Sequence, residues 1–170
     1  MFDLLIIQLF GVLGSLFMVL SFWQKNKKNM LIFLMFDNLF YIVQYILLGA
    51  LSGAIVNVIG FFRVLLFRKI EKNNNSKSNL ILCIILLLYI VSGIFTYSGI
   101  NSLILIFVSI FYSFVLWQDK PSQIRIGSII MLLIWCIYNI GVGAYASAIF
   151  DGILFILAFI SFIKIDILKK

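Results

Sequence analysis

Three side chains carry a full charge inside long apolar runs: Asp37, Arg63 and Asp151. A charge in hydrocarbon is costly, so each must have a reason to be there, and handling a polar solute is the functional one. Asn57 adds an amide. An amide and a carboxylate together can share a solute's hydroxyls, and a carboxylate can also balance a cation or take up a proton. Asn57 and Asp151 lie 94 residues apart, and a shift of roughly that length overlays the chain on itself without a gap. Trp23-Gln24 falls on Trp117-Gln118, Gly49-Ala50 on Gly143-Ala144, Ala54-Ile55 on Ala148-Ile149 and Phe61 on Phe155. About fifteen of roughly seventy paired positions are identical, around twice what a chain this rich in Ile, Leu and Phe gives by chance. Asn57 and Asp151 are thus equivalent positions, expected at one depth and facing each other in a substrate site. Helix–helix hydrogen bonding is the plainer use of such groups and stays open beside it.

Asp37 and Arg63 form a second expectation. At 1.5 Å per residue, Asp37 lies about 12 Å beyond Asn29 and Arg63 roughly 9 Å short of Lys69. Both depths are counted from the same side, on sequential helices. A structural ion pair would lower the cost of burying either charge, and such a pair can also serve as a gate. Snorkelling of Arg63 to the interface is the alternative. Tyr41, Gln44, Trp135, Tyr138 and Asn139 fill out the expected pocket. Tyr41 overlays Trp135, and Tyr45 overlays Asn139. Their rings offer stacking platforms for a sugar or a nucleoside-like solute. Trp23 and Trp117 fall at helix ends and are expected as interfacial anchors.

Composition removes other classes. The chain is 64% hydrophobic and 11% charged, against about half and a quarter for a soluble domain. It contains no His, and Cys83 and Cys136 sit in apolar runs without CxxC spacing. No disulfide, metal or cofactor is expected, and the two cysteines read as small buried hydrophobes. No nucleophile–base pair or phosphate loop is present, so an enzyme is not expected and no catalytic residue is assigned. The net charge of +7 is spread over short loops with no basic face, which excludes nucleic acid. The first apolar run lacks a basic leader and is long enough to span, so it reads as a retained helix.

These residues need helices to position them. Spanning segments of roughly 17–25 apolar residues are expected at 4–24, 30–48, 51–67, 80–96, 100–118, 124–142 and 145–163. An open sheet would leave backbone groups unpaired in lipid. Lys25, Lys27 and Lys28, then Arg68, Lys69, Lys72 and Lys77, then Lys120 and Arg125, and finally Lys164, Lys169 and Lys170 mark alternate connections and the tail. The connections between carry none. This alternation predicts an outside amino terminus and a cytoplasmic carboxyl terminus. Helices one to three match five to seven and the fourth has no partner. One extra crossing gives both copies the same orientation, as in parallel-repeat transporters. The fold class is therefore an all-α polytopic membrane protein of seven helices, arranged three-plus-one-plus-three. Its units are a first repeat at 1–70, a polar linker and inversion helix at 71–97, and a second repeat with a short tail at 98–170.

That arrangement resembles the sugar-transporting SWEET proteins, the PQ-loop proteins and the bacterial nicotinamide riboside transporters. Ser21-Phe22-Trp23-Gln24-Lys25 looks like the PQ-loop signature at its Gln. Ala54-Ile55-Val56-Asn57-Val58-Ile59-Gly60 looks like the third-helix segment in which SWEET proteins place a pocket Asn. Trp135-Cys136-Ile137-Tyr138 resembles their aromatic pair on the second helix of the repeat. The PQ-loop proline is replaced by Trp23 and Trp117, and Pro121, the only proline, reads as a loop residue. More closely, the chain resembles the YgjV-type bacterial inner-membrane proteins. It shares their Ser-Phe-x-x-Lys end of helix one, the Leu48-Gly49-Ala50 turn, and the pattern of Ala54, Asn57 and Arg63. This likeness covers nearly all of the first repeat and is weaker in the second.

The expected function is transport of a small polar solute across the bacterial inner membrane, by alternating access between the repeats. A non-transporting membrane subunit that binds a partner protein is the other reading. The expected partners are the lipid bilayer and the solute, with homo-oligomer formation left open.

Overall fold

The computed structural model describes residues 4–70, 76–97 and 99–168. The described residues form seven α-helices: α1 (Leu4–Phe22), α2 (Lys27–Leu47), α3 (Leu51–Lys69), α4 (Ser76–Phe95), α5 (Ile100–Trp117), α6 (Pro121–Gly141) and α7 (Tyr145–Ser161). A π-helical turn, Phe162–Ile167, continues α7. Six helices are long and apolar enough to cross a bilayer, and α5 contributes a shorter apolar stretch, Ser102–Trp117. The seven expected spans thus stand as six plus this shorter helix.

Local chemistry sets the helix ends. The Asn26 side chain caps α2 by accepting the Lys28 backbone N–H at 2.9 Å. Pro121 is not a loop residue but opens α6, where its missing N–H costs nothing and its fixed φ suits a first turn. The expected polar linker shrinks because α3 runs on to Lys69 and α4 starts at Ser76; residues 71–75 lie outside the described residues. Helices α2 and α6 end alike. Gly49 and Gly143 take φ of 70° and 77°, and Ala50 and Ala144 donate back to the carbonyls of Tyr45 and Asn139, both at 2.9 Å. This paired closure needs a left-handed residue, which glycine supplies without strain. The starts of α2 and α6, and of α3 and α7, are each 94 residues apart.

Helix α1 packs on α2 and α7, α3 on α2, α4 and α5, and α6 on α5 and α7. The polarity of the bundle is inverted relative to a water-soluble one. Leu5, Phe95, Phe107 and Ile149 are among many large apolar side chains left outside, while Ser15, Gln44, Arg63, Arg125 and Asp151 are buried. Lipid solvates the first set and only protein can satisfy the second.

Both ends of the bundle are tied across distant helices. At one end Lys27 Nζ meets Asp119 at 3.3 Å and the Trp117 carbonyl at 3.4 Å. Beside it Arg125, 1% exposed, grips Asp166 through Nε and Nη2 at 2.7 and 2.6 Å. Its Nη1 reaches the carbonyls of Phe22 and Gln24 at 3.4 and 3.1 Å. At the other end Gln8 donates to the Gly143 carbonyl and accepts from the Ala146 N–H, both at 3.1 Å. Trp23 is exposed, with Lys164 Nζ 6.0 Å from its ring centre. Trp117 departs from the expected interfacial role: it is buried, edge-on to Phe67 at 4.8 Å.

Candidate functional site

A cavity of about 50 Å³ lies inside the bundle. Helices α1, α2, α3, α5, α6 and α7 all contribute to its wall: Met18, Asp37, Asn38, Tyr41, Tyr45, Asn57, Arg63, Tyr112, Met131, Leu132, Trp135, Asn139 and Asp151. Trp135 is half-buried and every other one is buried. Of these thirteen residues, twelve fall into six pairs 94 apart, and Arg63 alone has no counterpart. The pairs are Met18 with Tyr112, Asp37 with Met131, Asn38 with Leu132, Tyr41 with Trp135, Tyr45 with Asn139, and Asn57 with Asp151.

A hydrogen-bonded chain crosses the wall. Tyr45 donates its hydroxyl to Asn139 Oδ1 at 2.6 Å, and Asn139 Nδ2 donates to Asp151 Oδ2 at 2.8 Å. This orients one oxygen of the carboxylate. Asn57 Nδ2 donates to the Gly53 carbonyl at 2.9 Å, one turn back on its own helix. Tyr41 shares a 2.8 Å bond with Ser15 on α1 and stacks on Tyr45 at 5.8 Å. Tyr45 in turn stacks on Trp135 at 6.1 Å and meets Tyr138 edge-on at 5.8 Å.

Gln44 and Tyr138 do not line the cavity. Gln44 Oε1 accepts from Ser147 at 2.8 Å, while its buried Nε2 has no partner. The Tyr138 hydroxyl lies 3.3 Å from Ser52 Oγ. These two positions are themselves 94 apart.

The expected ion pair of Asp37 with Arg63 is not formed, although both side chains reach the same cavity. Arg63 turns instead to α5, with Nη1 at 3.0 Å from Ser113 Oγ and 3.3 Å from the Ser109 carbonyl. Its guanidinium lies over the rings of Tyr112 and Tyr89, at 5.2 and 5.6 Å. A desolvated planar cation gains from each ring it lies over, so α4 and α5 compete successfully for it. Nor does Arg63 snorkel, being 4% exposed.

Sequence reasoning passed over Arg125 and Asp166. Arg125 had counted as a loop cation, and Asp166 lay beyond the last expected span. Their signal was a lone acid in a basic tail, opposite a cation just inside a helix. Among the described residues no group of three metal-ligating side chains occurs.

A greasy exterior and charged and amide groups turned inward onto one cavity define a polytopic helical membrane protein. The chain belongs to the Imp-YgjV family of bacterial inner membrane proteins, whose family model matches residues 5–169. No curated protein matches it, and no solved structure does.

Proposed function

We propose that this protein carries a small polar solute across the inner membrane by alternating access between two three-helix repeats. The observation that carries the reading is the cavity itself, walled almost wholly by pairs of equivalent residues. A site between two copies of one unit is where parallel-repeat transporters hold their solute. A subunit serving only as a scaffold has no use for a cavity lined by two acids and an arginine at that place.

The three-plus-one-plus-three arrangement is part of this reading. Shifting the chain by 94 exchanges α1 with α5 and α3 with α7, so the packing of α1 on α7 matches that of α3 on α5. Helix α4 then serves as the odd crossing. Seven crossings with alternate basic connections put the amino terminus outside and the carboxyl terminus in the cytoplasm. The ties at the two ends act as alternating closures: Arg125 and Lys27 on the cytoplasmic side, Gln8 on the outer side. Opening one set while the other holds exposes the cavity to one side at a time. Asp151 and Asn57 bind the solute, and no chemical step is involved.

Uptake into proteoliposomes tests this. Labelled sugars, nucleosides, amino acids and small amines are offered to wild type and to the Asp151→Asn and Asn57→Ala variants. Accumulation of one class above protein-free vesicles, lost in Asp151→Asn and reduced in Asn57→Ala, is the expected result. Uptake unchanged in both variants removes the site; no uptake of any class favours the partner-binding subunit.

A further inference from the structure

Asp37 is the one acid among the buried polar groups without a partner; the others among the described residues are Gln44 Nε2, Arg63 Nε and the Tyr89 hydroxyl. It is the middle residue of α2 and only 8% exposed, and its Oδ1 is buried with no hydrogen-bond partner. The guanidinium on the same wall is engaged elsewhere, as described. Most of the wall's other donors have a partner, the exception being Arg63 Nε, which is buried with none. The hydroxyls of Tyr41 and Tyr112 bond to Ser15 and Ser128 at 2.8 and 3.2 Å, and that of Tyr45 bonds to Asn139. Asn57 returns one amide N–H to its own helix. Against the single unpartnered donor of Arg63 stand two carboxylate acceptors, Asp37 Oδ1 and the second oxygen of Asp151.

Charge runs the same way. With both acids ionised, two carboxylates and one guanidinium line the space and leave it one positive charge short. Buried charges persist when they are paired, and an unpaired one is strongly unfavourable. We infer that the cavity takes a small N–H-bearing cation, an ammonium or short alkylammonium ion, with Asp37 and Asp151 as its counter-charges. The inference rests on the reading of the cavity as a solute site and narrows the solute. Size agrees with it. On the measure by which one water needs about 10–15 Å³, a cavity of about 50 Å³ has room for a few water-sized groups, which suits a small ammonium ion. The Tyr41–Tyr45–Trp135 stack adds a π-rich wall that attracts a cation and gives a neutral solute nothing comparable.

The test is calorimetric titration of the full-length protein in detergent with methylammonium chloride, at ionic strength held constant with sodium chloride. Acetamide is the uncharged control of similar size. Saturable methylammonium binding is expected, with none for acetamide. Asp37→Asn and Asp151→Asn should each weaken it at least tenfold, while Asp37→Glu keeps measurable binding. If Asp37→Asn does not purify as a single species, Asp151→Asn and Asp37→Glu decide. Absence of binding by the wild type, or an affinity unchanged in the Asn variants, overturns the inference. Uptake separates this from the transporter reading. Methylammonium binding without uptake of any solute removes transport and keeps the cation site. Uptake of a neutral solute that Asp37→Asn leaves intact removes the cation site and keeps transport.

Discussion

Tyr45 and Asn139, which a 94-residue shift superposes, meet directly: the phenol donates to the amide oxygen at 2.6 Å. Both are nearly inaccessible, at 0% and 1% exposure, so the bond forms away from solvent. It ties α2 to α6 and, through Asn139, fixes the carboxylate of Asp151 on α7.

Tyr45→Phe deletes this donor and little else, since the ring stays for Tyr41 and Trp135. Hydrogen bonds between helices in lipid contribute about 1 kcal/mol. A loss of that order is expected in denaturant or thermal melting of the purified protein. A double-mutant cycle with Asn139→Leu should return most of it as coupling. Additive single losses would mean that the bond contributes nothing to stability.

The two salt links at one end of the bundle should differ sharply. Asp119 is 61% exposed and meets Lys27 at 3.3 Å, so Asp119→Asn should cost under about 1 kcal/mol. Arg125 is buried, bidentate to Asp166, and satisfies two carbonyls of the α1 end. Arg125→Gln strands those groups and should cost about 3 kcal/mol, near the lower figure for breaking a buried pair. Melting midpoints of the two variants side by side check the order.

Gly53 and Gly152 give a paired test of packing. A Cβ at Gly53 would stand 2.6 Å from the Tyr138 hydroxyl and 3.0 Å from the Tyr45 ring. Gly53→Ala should wedge α3 away from the aromatic stack and cost about 1–3 kcal/mol. A Cβ at Gly152 meets nothing within 4 Å. Gly152→Ala should be neutral or gain up to about 1 kcal/mol from helix propensity.

Orientation can be read with a membrane-impermeant maleimide in a background with Cys83 and Cys136 replaced by Ala. Asp119→Cys should react only when reagent reaches the cytoplasmic face, and Tyr145→Cys, at a site 61% exposed, only from outside. The reverse pattern would invert the topology.

The sequence made some of this visible and hid the rest, for a physical reason. Self-similarity and helix periodicity speak of where along a helix a residue sits. They foretold the matching Gly49 and Gly143 turns; Asn57 and Asp151, equivalent by the same shift, line one cavity, each hydrogen-bonded elsewhere. They do not tell which way around the axis a side chain turns or which neighbour wins it. Arg63 has the right depth for Asp37, yet its partners Tyr89, Ser109, Tyr112 and Ser113 come from helices that no local pattern connects to α3. Trp117 looked like an anchor because it ends a helix, but Phe67 on α3 covers it. Arg125 looked like a loop cation because its acid, Asp166, comes from a π-helical turn past the last apolar run.

None of the six equivalent pairs around the cavity keeps the same residue on both sides. Where the first half brings Asp37 and Asn38, the second brings Met131 and Leu132, and the lone Arg63 widens the difference. The two halves place their polar groups differently: Asp37, Asn38, Asn57 and Arg63 in the first, Asn139 and Asp151 in the second. The chamber is therefore lopsided, and its opposite faces offer different chemistry.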